Sequence, residues 1–406
     1  MSRLLEHVKV LEVSMWAYVP SAGAVLADWG ADVVKVEQPV VGDPLRGLSI
    51  GGVVGATEDG FNAWWELYNR GKRSVGIDLH SERGRELLLQ LVDGCDVFLT
   101  SLLPAARRRF GIDVDDIRAR KPDIIYACGS GVGPAGPENE KGGYDGMTFW
   151  GRGGPQAALT PPGAKPILMA APAFGDVTSG MALAGGVAAA LANRAVTGEG
   201  HVVDGSLLAT AAWMMQASVA YADNPAASEL LSTTTAPTIF NPIANTYRTS
   251  DDRWVSLMML QADKYWGELC RTVLERPELA DDPRFADIKV RGENAQACVS
   301  ILEEIFATRP LGEWRERLSR QDGQWEAIQT AAELARDPQA VVNGYVQEVD
   351  YGDRTVPMAS APVHFDRTSP TLGHSPELGA DTEAVLLELG LDWDQIIELK
   401  AADAIT

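Results

Sequence analysis

Apolar positions along the chain switch between a period of two and a period near 3.6, the pattern of strands that alternate with helices. Val8 to Val13 and Asp32 to Glu37 read as short strands. Between them Pro20 to Trp29, with a proline near its start and Gly30 after its end, reads as a helix. The alternation continues with a strand at Ser74 to Asp78, a helix at Ser81 to Leu91, a strand at Val97 to Thr100, a helix at Val114 to Arg120 and a strand at Ile124 to Cys128. This order predicts a doubly wound, mostly parallel sheet. Further on, an apolar, extended Pro166 to Pro172 stretch leads into a helix over Met181 to Ala192, followed by a strand at His201 to Asp204 and a helix from Ser206 to Ala222. Asn224 to Pro242, rich in Ser, Thr, Ala and Pro, reads as a connection. Past it, Trp254 to Leu260 is strand-like, and Asp263 to Leu274, Gln296 to Thr308 and Gly312 to Arg320 read as helices of a smaller, mainly helical domain. From Val346 short strands return, then a helix from Thr382 to Leu389 with Asp381 as cap and Gly390 as stop.

At 406 residues the chain is long enough for two domains with separate cores. Its 35 basic and 56 acidic side chains give a net charge of −21, which argues against a general affinity for nucleic acid or anionic membranes. An anionic substrate would need a local basic patch. Cys95, Cys128, Cys270 and Cys298 are scattered and form no CxxC pair, which fits a reducing cytoplasm. The N-terminus runs directly into a strand pattern without the apolar core of a signal peptide. The small-apolar run around Gly180 to Ala192 is about a dozen residues where a membrane span needs about 20, so a buried helix is expected.

Candidate chemistry concentrates in Phe174-Gly175-Asp176-Val177-Thr178-Ser179-Gly180, which sets one carboxylate after a glycine at a helix start. There the helix dipole and free N–H groups favour an anion. An ordinary N-cap aspartate would look the same. Gly131-Val132-Gly133-Pro134-Ala135-Gly136 matches GxGxxG, yet Pro134 and Pro137 oppose the helix that a dinucleotide fingerprint requires, so a tight loop is expected and NAD is not. Asn69-Arg70-Gly71-Lys72-Arg73-Ser74 gathers three cations and reads either as a phosphate clamp or as a solvated turn. Arg107-Arg108-Arg109 is a second cluster, placed at a helix end. The five histidines have no metal-ligand spacing, so no metal is expected.

Taken together, these runs resemble the family III CoA-transferases, the group of formyl-CoA transferase and carnitine CoA-transferase, to which α-methylacyl-CoA racemase is related. The resemblance rests on Leu26 to Glu37, Gly42-Asp43-Pro44, Asn69 to Asp78, Gly129 to Pro137, Gly143-Tyr144-Asp145, Gly175-Asp176, Thr197 to Ser206, Asn245 to Asp251 and Asp281 to Phe285. It implies a Rossmann-like α/β domain with a parallel sheet over residues 1–224, a smaller α+β domain over 225–345, and a segment over 346–406 that returns to the large domain. It also implies an interlocked homodimer. Asp176 occupies the family's nucleophile position, with Tyr144 and Asp145 as the pair lining the active site. Coenzyme A is implied as co-substrate, with no tightly bound cofactor, and Asn69, Lys72, Arg73, Arg107, Trp16 and Gly131 as its binding residues. The other substrates implied are an acyl-CoA and a carboxylic acid.

Two further readings stay open: a racemase, although the histidine that such relatives carry is Tyr144 here, and a non-catalytic acyl-CoA-binding relative. The sequence departs from the family at Ala17-Tyr18-Val19-Pro20, Gln38, Ser101 to Ala105 and Gly379 to Thr382, and shows no glycine-rich gating loop around Asn224 to Asn241. Trp16, Tyr18, Trp64, Trp65 and Trp150 suggest a bulky, apolar acyl pocket.

Overall fold

The computed structural model describes residues 3–227 and 240–406, apart from residues 51, 56 and 58. Much of the connection expected at 224–242, and with it most of the gating-loop region, lies outside the described residues. The chain forms two compact units, residues 1–222 with 338–406 and residues 223–337. The stretch 338–345, assigned above to the small domain, therefore belongs with the large unit. There Gly344 and Tyr345 accept hydrogen bonds from Ser360, and Asp28 accepts the Ala361 N–H.

In the large unit six strands form one parallel sheet: β1 (Lys9–Val13), β2 (Asp32–Glu37), β3 (Arg73–Gly76), β4 (Val97–Thr100), β5 (Ile125–Ser130) and β6 (Val202–Ser206). Their order across the sheet is β3-β2-β1-β4-β5-β6, with register Lys9↔Asp32 on one side of β1 and Val10↔Val97 on the other. This is the doubly wound order, and winding reverses between β1 and β4, where a crevice opens at the strands' carboxyl ends. Because both faces are covered, the inner strands are buried almost throughout. Leu11 and Val13 point into one core with α3 (Glu82–Asp93) and α5 (Val114–Arg120), and Val8 and Val10 into the other.

That second core is built by α1 (Tyr18–Asp28) and α6 (Phe174–Thr197), with α2 (Ala63–Asn69) and α4 (Pro104–Phe110) lying nearer the crevice. Helix α1 begins two residues before Pro20, which falls in the first turn, where a missing N–H leaves nothing unpaired. Helix α6 spans 24 residues, so it is long and apolar enough to cross a membrane by length and composition, contrary to the dozen-residue run read from sequence. One side of it, including Gly180, Leu183, Ala184 and Val187, is buried in this core. A Cβ on Gly180 would stand 1.9 Å from Ser21 Oγ, so glycine permits the close approach to α1.

Other expectations are corrected. Residues 166–172 form no strand and are mostly exposed, since prolines 166 and 172 remove ladder donors. The helix expected over 206–222 breaks at Met215 into α7 (Leu207–Met214) and α8 (Gln216–Ala220). Asp381 makes no side-chain cap bond to the helix Thr382–Glu388; its carboxylate accepts the Ser74 N–H instead, at 2.8 Å. The small unit contains an antiparallel sheet of Thr246–Arg248, Trp254–Leu257 and Trp325–Ala327, packed with helices around Tyr247, Phe306 and Trp314.

Candidate active site

Past the end of β1 the chain turns sharply at Trp16, a non-glycine residue at φ 69°, held by its N–H to Asp43 Oδ1 at 3.1 Å. Such strain in a left-handed residue persists only where surrounding contacts enforce it. Beneath the turn lie four charged side chains with no solvent exposure. Lys35 Nζ contacts Glu12 at 3.1 Å and Asp43 at 2.9 Å, and Lys72 Nζ contacts Glu12 at 2.8 Å. Burial alone would raise the Glu12 carboxyl, but the Lys72 and Lys35 charges more than offset it and hold Glu12 below its ordinary range.

Lys72 is therefore not a surface phosphate clamp. Its remaining donors reach the Pro20 carbonyl at 2.9 Å and Asn69 Oδ1 at 3.1 Å, so Asn69 also serves this internal cluster. Arg73 is engaged with Asp32 at 2.6 Å and Glu388 at 2.9 Å, and Arg70 with Asp28 at 2.7 Å. Arg107 is buried, with Nε on Asp113 at 2.9 Å and Nη1 donating to Cys128 Sγ at 2.8 Å. The cations singled out from sequence are thus mostly structural, because carboxylates distant in the chain meet them.

Asp176 is the third residue of α6. The helix begins after Ala173, a left-handed residue whose side chain supplies no cap. The cap comes from elsewhere: Asp145 Oδ1 accepts the Gly175 N–H at 3.1 Å. A Cβ on Gly175 would fall 2.3 Å from that oxygen, which is why a glycine precedes Asp176. Asp145 is delivered at the start of a π-helical turn, Gly146–Arg152, whose Phe149 and Trp150 pack against Phe174. With the capping position served by Asp145, the Asp176 carboxylate makes no hydrogen bond or ion pair among the described residues. Burial, then the charge of Asp145, pushes its carboxyl up to about 7, and burial pushes Asp145 up to about 6. Among the described residues no cation acts on either group. The result is an unpartnered, poorly solvated carboxylate beside a second acid, suited to nucleophilic attack on a carbonyl.

The description CoA-transferase family III matches residues 5–382. The chain belongs to that family.

Among its relatives are the (R)-2-hydroxy-4-methylpentanoate CoA-transferase of Clostridioides difficile, 32% identical and aligned over 99% of both chains, and the cinnamoyl-CoA:phenyllactate CoA-transferase of Clostridium sporogenes, 30% identical over 98% of this chain and 96% of that one. A crystal structure of a CaiB/BaiF family protein from Brucella suis superposes with a TM-score of 0.79 at 29% identity, covering 94% of this chain and 98% of that one. The protein is accordingly an enzyme of the CoA-transferase class with the mixed α/β fold of that group.

In this transferase Tyr144 is largely exposed and meets Trp16 edge to face, ring centroids 5.8 Å apart. Gly131 approaches Gly143 closely: a Cβ on it would lie 2.8 Å from Gly143 Cα, so it supports the loop carrying Tyr144 and Asp145 by backbone packing. Trp65 and the half-buried Trp64 pack with Ala17, Tyr68 and Ala173. Tyr68 carries no signal in the sequence, whereas Tyr18 stands among the aromatic residues named for the acyl pocket; both phenols are held well above their ordinary range, chiefly by burial, with the Asp176 carboxylate adding to it. Neither tyrosine has a spacing signal, and only the fold brings them near Asp176. The crevice at the β1, β2 and β4 ends holds a mostly apolar cavity of about 280 Å³, lined among others by Ser14, Glu37, Gln38, His80, Arg109 and Phe110. Arg109 stacks on Phe110, and among the described residues it has no ion-pair partner.

Proposed function

We propose that this transferase moves CoA from an acyl-CoA to a free carboxylic acid through covalent intermediates on Asp176. The observation that carries the reading is the Asp176 carboxylate, relieved of capping by Asp145 and unpaired with any described cation. Asp176 attacks the thioester carbonyl and expels CoA thiolate, leaving a mixed anhydride. The thiolate attacks the aspartyl carbonyl, releases the donor acid and forms an aspartyl-CoA thioester. The acceptor carboxylate then displaces the thiolate from this thioester, giving a second anhydride. Attack of the thiolate on its acceptor carbonyl yields the new acyl-CoA and regenerates Asp176. Holding these partners together replaces bimolecular steps by local ones.

The nucleotide end of CoA is assigned to the crevice cavity, where Arg109 supplies a cation for phosphate and Phe110 an apolar face. The relatives named for 2-hydroxy-4-methylpentanoate and phenyllactate make branched and aromatic acids the first acceptors to offer. A homodimer fits the resemblance and the exposure of Trp213, Met214, Val219 and Tyr221 along α7, α8 and the residue that follows.

The test is incubation with acyl-CoA esters and free acids in D2O, with mass spectrometry of every CoA ester. New esters are expected from the wild type and none from Asp176→Ala, which should still bind CoA. Normal exchange by Asp176→Ala would refute the assignment, and deuterium at the α-carbon without a new ester would make the enzyme a racemase.

A further inference from the structure

A second cavity, of about 420 Å³, lies between α1, α2, the start of α6 and residues 359–362. Val177 and Thr178, which directly follow Asp176, form part of its wall, with Val25, Leu67 and Met181. It is large for its purpose, since an apolar cavity of about 150 Å³ already holds benzene. Its polar lining is almost wholly engaged. Ser21 Oγ donates to the Tyr18 carbonyl at 2.7 Å and Thr178 Oγ1 to the Phe174 carbonyl at 2.7 Å. Ser360 Oγ donates to the Gly344 carbonyl at 2.9 Å, and the Arg70 guanidinium is paired with Asp28. Tyr68 is the exception: among the described residues its hydroxyl has no hydrogen-bond partner. Tyr68 packs with Ala17 and Ala173, the residue that precedes α6.

From this lining we infer that the cavity receives the apolar body of the transferred acid and that the Tyr68 hydroxyl donates to its acyl oxygen, so that the substrates are monocarboxylic acids with a branched or aromatic side chain. The inference rests on the transfer reading above. An apolar body gains about 25 cal/mol per Å² buried there. A second carboxylate would meet no unpaired cation and would lose its hydration without compensation. Burial, followed by the Asp176 and Asp145 charges, keeps the Tyr68 phenol protonated, so it acts as a donor and not as a base. A donor aimed at the acyl oxygen stabilises the charge that develops there during attack by Asp176.

Self-exchange tests this without knowledge of the physiological donor. Each CoA ester is mixed with its own isotope-labelled free acid, and label entering the ester is followed for 3-phenylpropanoate, 4-methylpentanoate, acetate, succinate and glutarate. The apolar acids are expected to exceed succinate and glutarate by about 100-fold or more in kcat/KM. Met181→Trp and Leu67→Trp, two independent fillings of the cavity, should each lower the ratio of 3-phenylpropanoate to acetate exchange by about tenfold. Tyr68→Phe should lower kcat by about 10- to 100-fold with KM little changed, a split that a packing role would not produce. Preference for the dicarboxylates, or an unchanged ratio in whichever filled variants fold, overturns the inference while leaving transfer intact. Absence of exchange with every acid overturns the transfer reading, and this one with it.

Discussion

Asp145 and Asp176 act as one unit, and their titration follows from where each sits. Both carboxyls are raised by burial, and Asp176 is raised further by its neighbour's charge. The proposed attack requires ionised Asp176, so kcat/KM should climb about tenfold per pH unit on the acid side and level off above about pH 7. Asp145→Asn keeps an oxygen for the Gly175 N–H but removes the adjacent negative charge. It should therefore move this limb to lower pH, and a limb that stayed in place would show that the two acids are not coupled. The same shifts work against stability. Native Asp176 holds its proton up to about pH 7, whereas the unfolded carboxyl loses it near its ordinary value, so stability declines as pH rises through that interval. Asp176→Asn should melt above the wild type at pH 8, and the gap should close toward pH 4, as read by calorimetry. Burial likewise disfavours the charge of Lys72 and pushes its ammonium down to about 8, although Glu12 opposes the shift. Lys72→Met leaves Glu12 buried with half its compensation and should cost about 3–5 kcal/mol in denaturant unfolding. Arg109→Ala should leave stability unchanged and raise the KM for the acyl-CoA donor.

Helix α6 links fold to chemistry. Its Gly180 lets it lie against α1, and its first turn presents Asp176. Gly180→Val would force Ser21 and the Tyr18 backbone apart, with a cost of about 1–3 kcal/mol and a loss of activity larger than that destabilisation, because the start of α6 would shift away from Asp145. Wild-type kcat in a Gly180→Val protein would remove α6 position from the mechanism. The helix was visible in sequence as a small-apolar run, yet its length was not. Arg194 and Asn193 look like a terminus, but Arg194 pairs with Asp96 at 2.7 Å and the helix continues to Thr197. The preceding stretch, 166–172, looks extended in sequence because it is apolar and proline-spaced. No sheet edge pairs with it, and without a partner such a segment has no ladder to join.

For the whole molecule, the exposed Trp213, Met214 and Val219 predict self-association. Light scattering should give twice the monomer mass, and Trp213→Glu with Val219→Glu should lower it; a wild-type monomer at micromolar concentration would exclude the dimer. The alternation of strands and helices could be read directly, since a parallel sheet covered on both faces needs unbroken apolar strands and each crossover helix carries its own period. The place of Asp176 at a helix start could be read as well, because a glycine-aspartate pair ahead of a small-apolar run is a local pattern. The fate of the other charged residues could not. Asn69 to Ser74 looks like a solvated cationic turn until Glu12 of β1, itself paired with Lys35 of β2, meets Lys72, and Asp28 and Asp32 meet Arg70 and Arg73. Asp145 caps a helix 30 residues away, and Tyr68 gains its position beside Asp176 only when α2 packs against Ala173. Periodicity and turn chemistry report the backbone state of a few neighbouring residues. Whether a charge is paired, a carboxylate left bare or a cavity lined depends on what distant segments place opposite it, and that exists only in the packed fold.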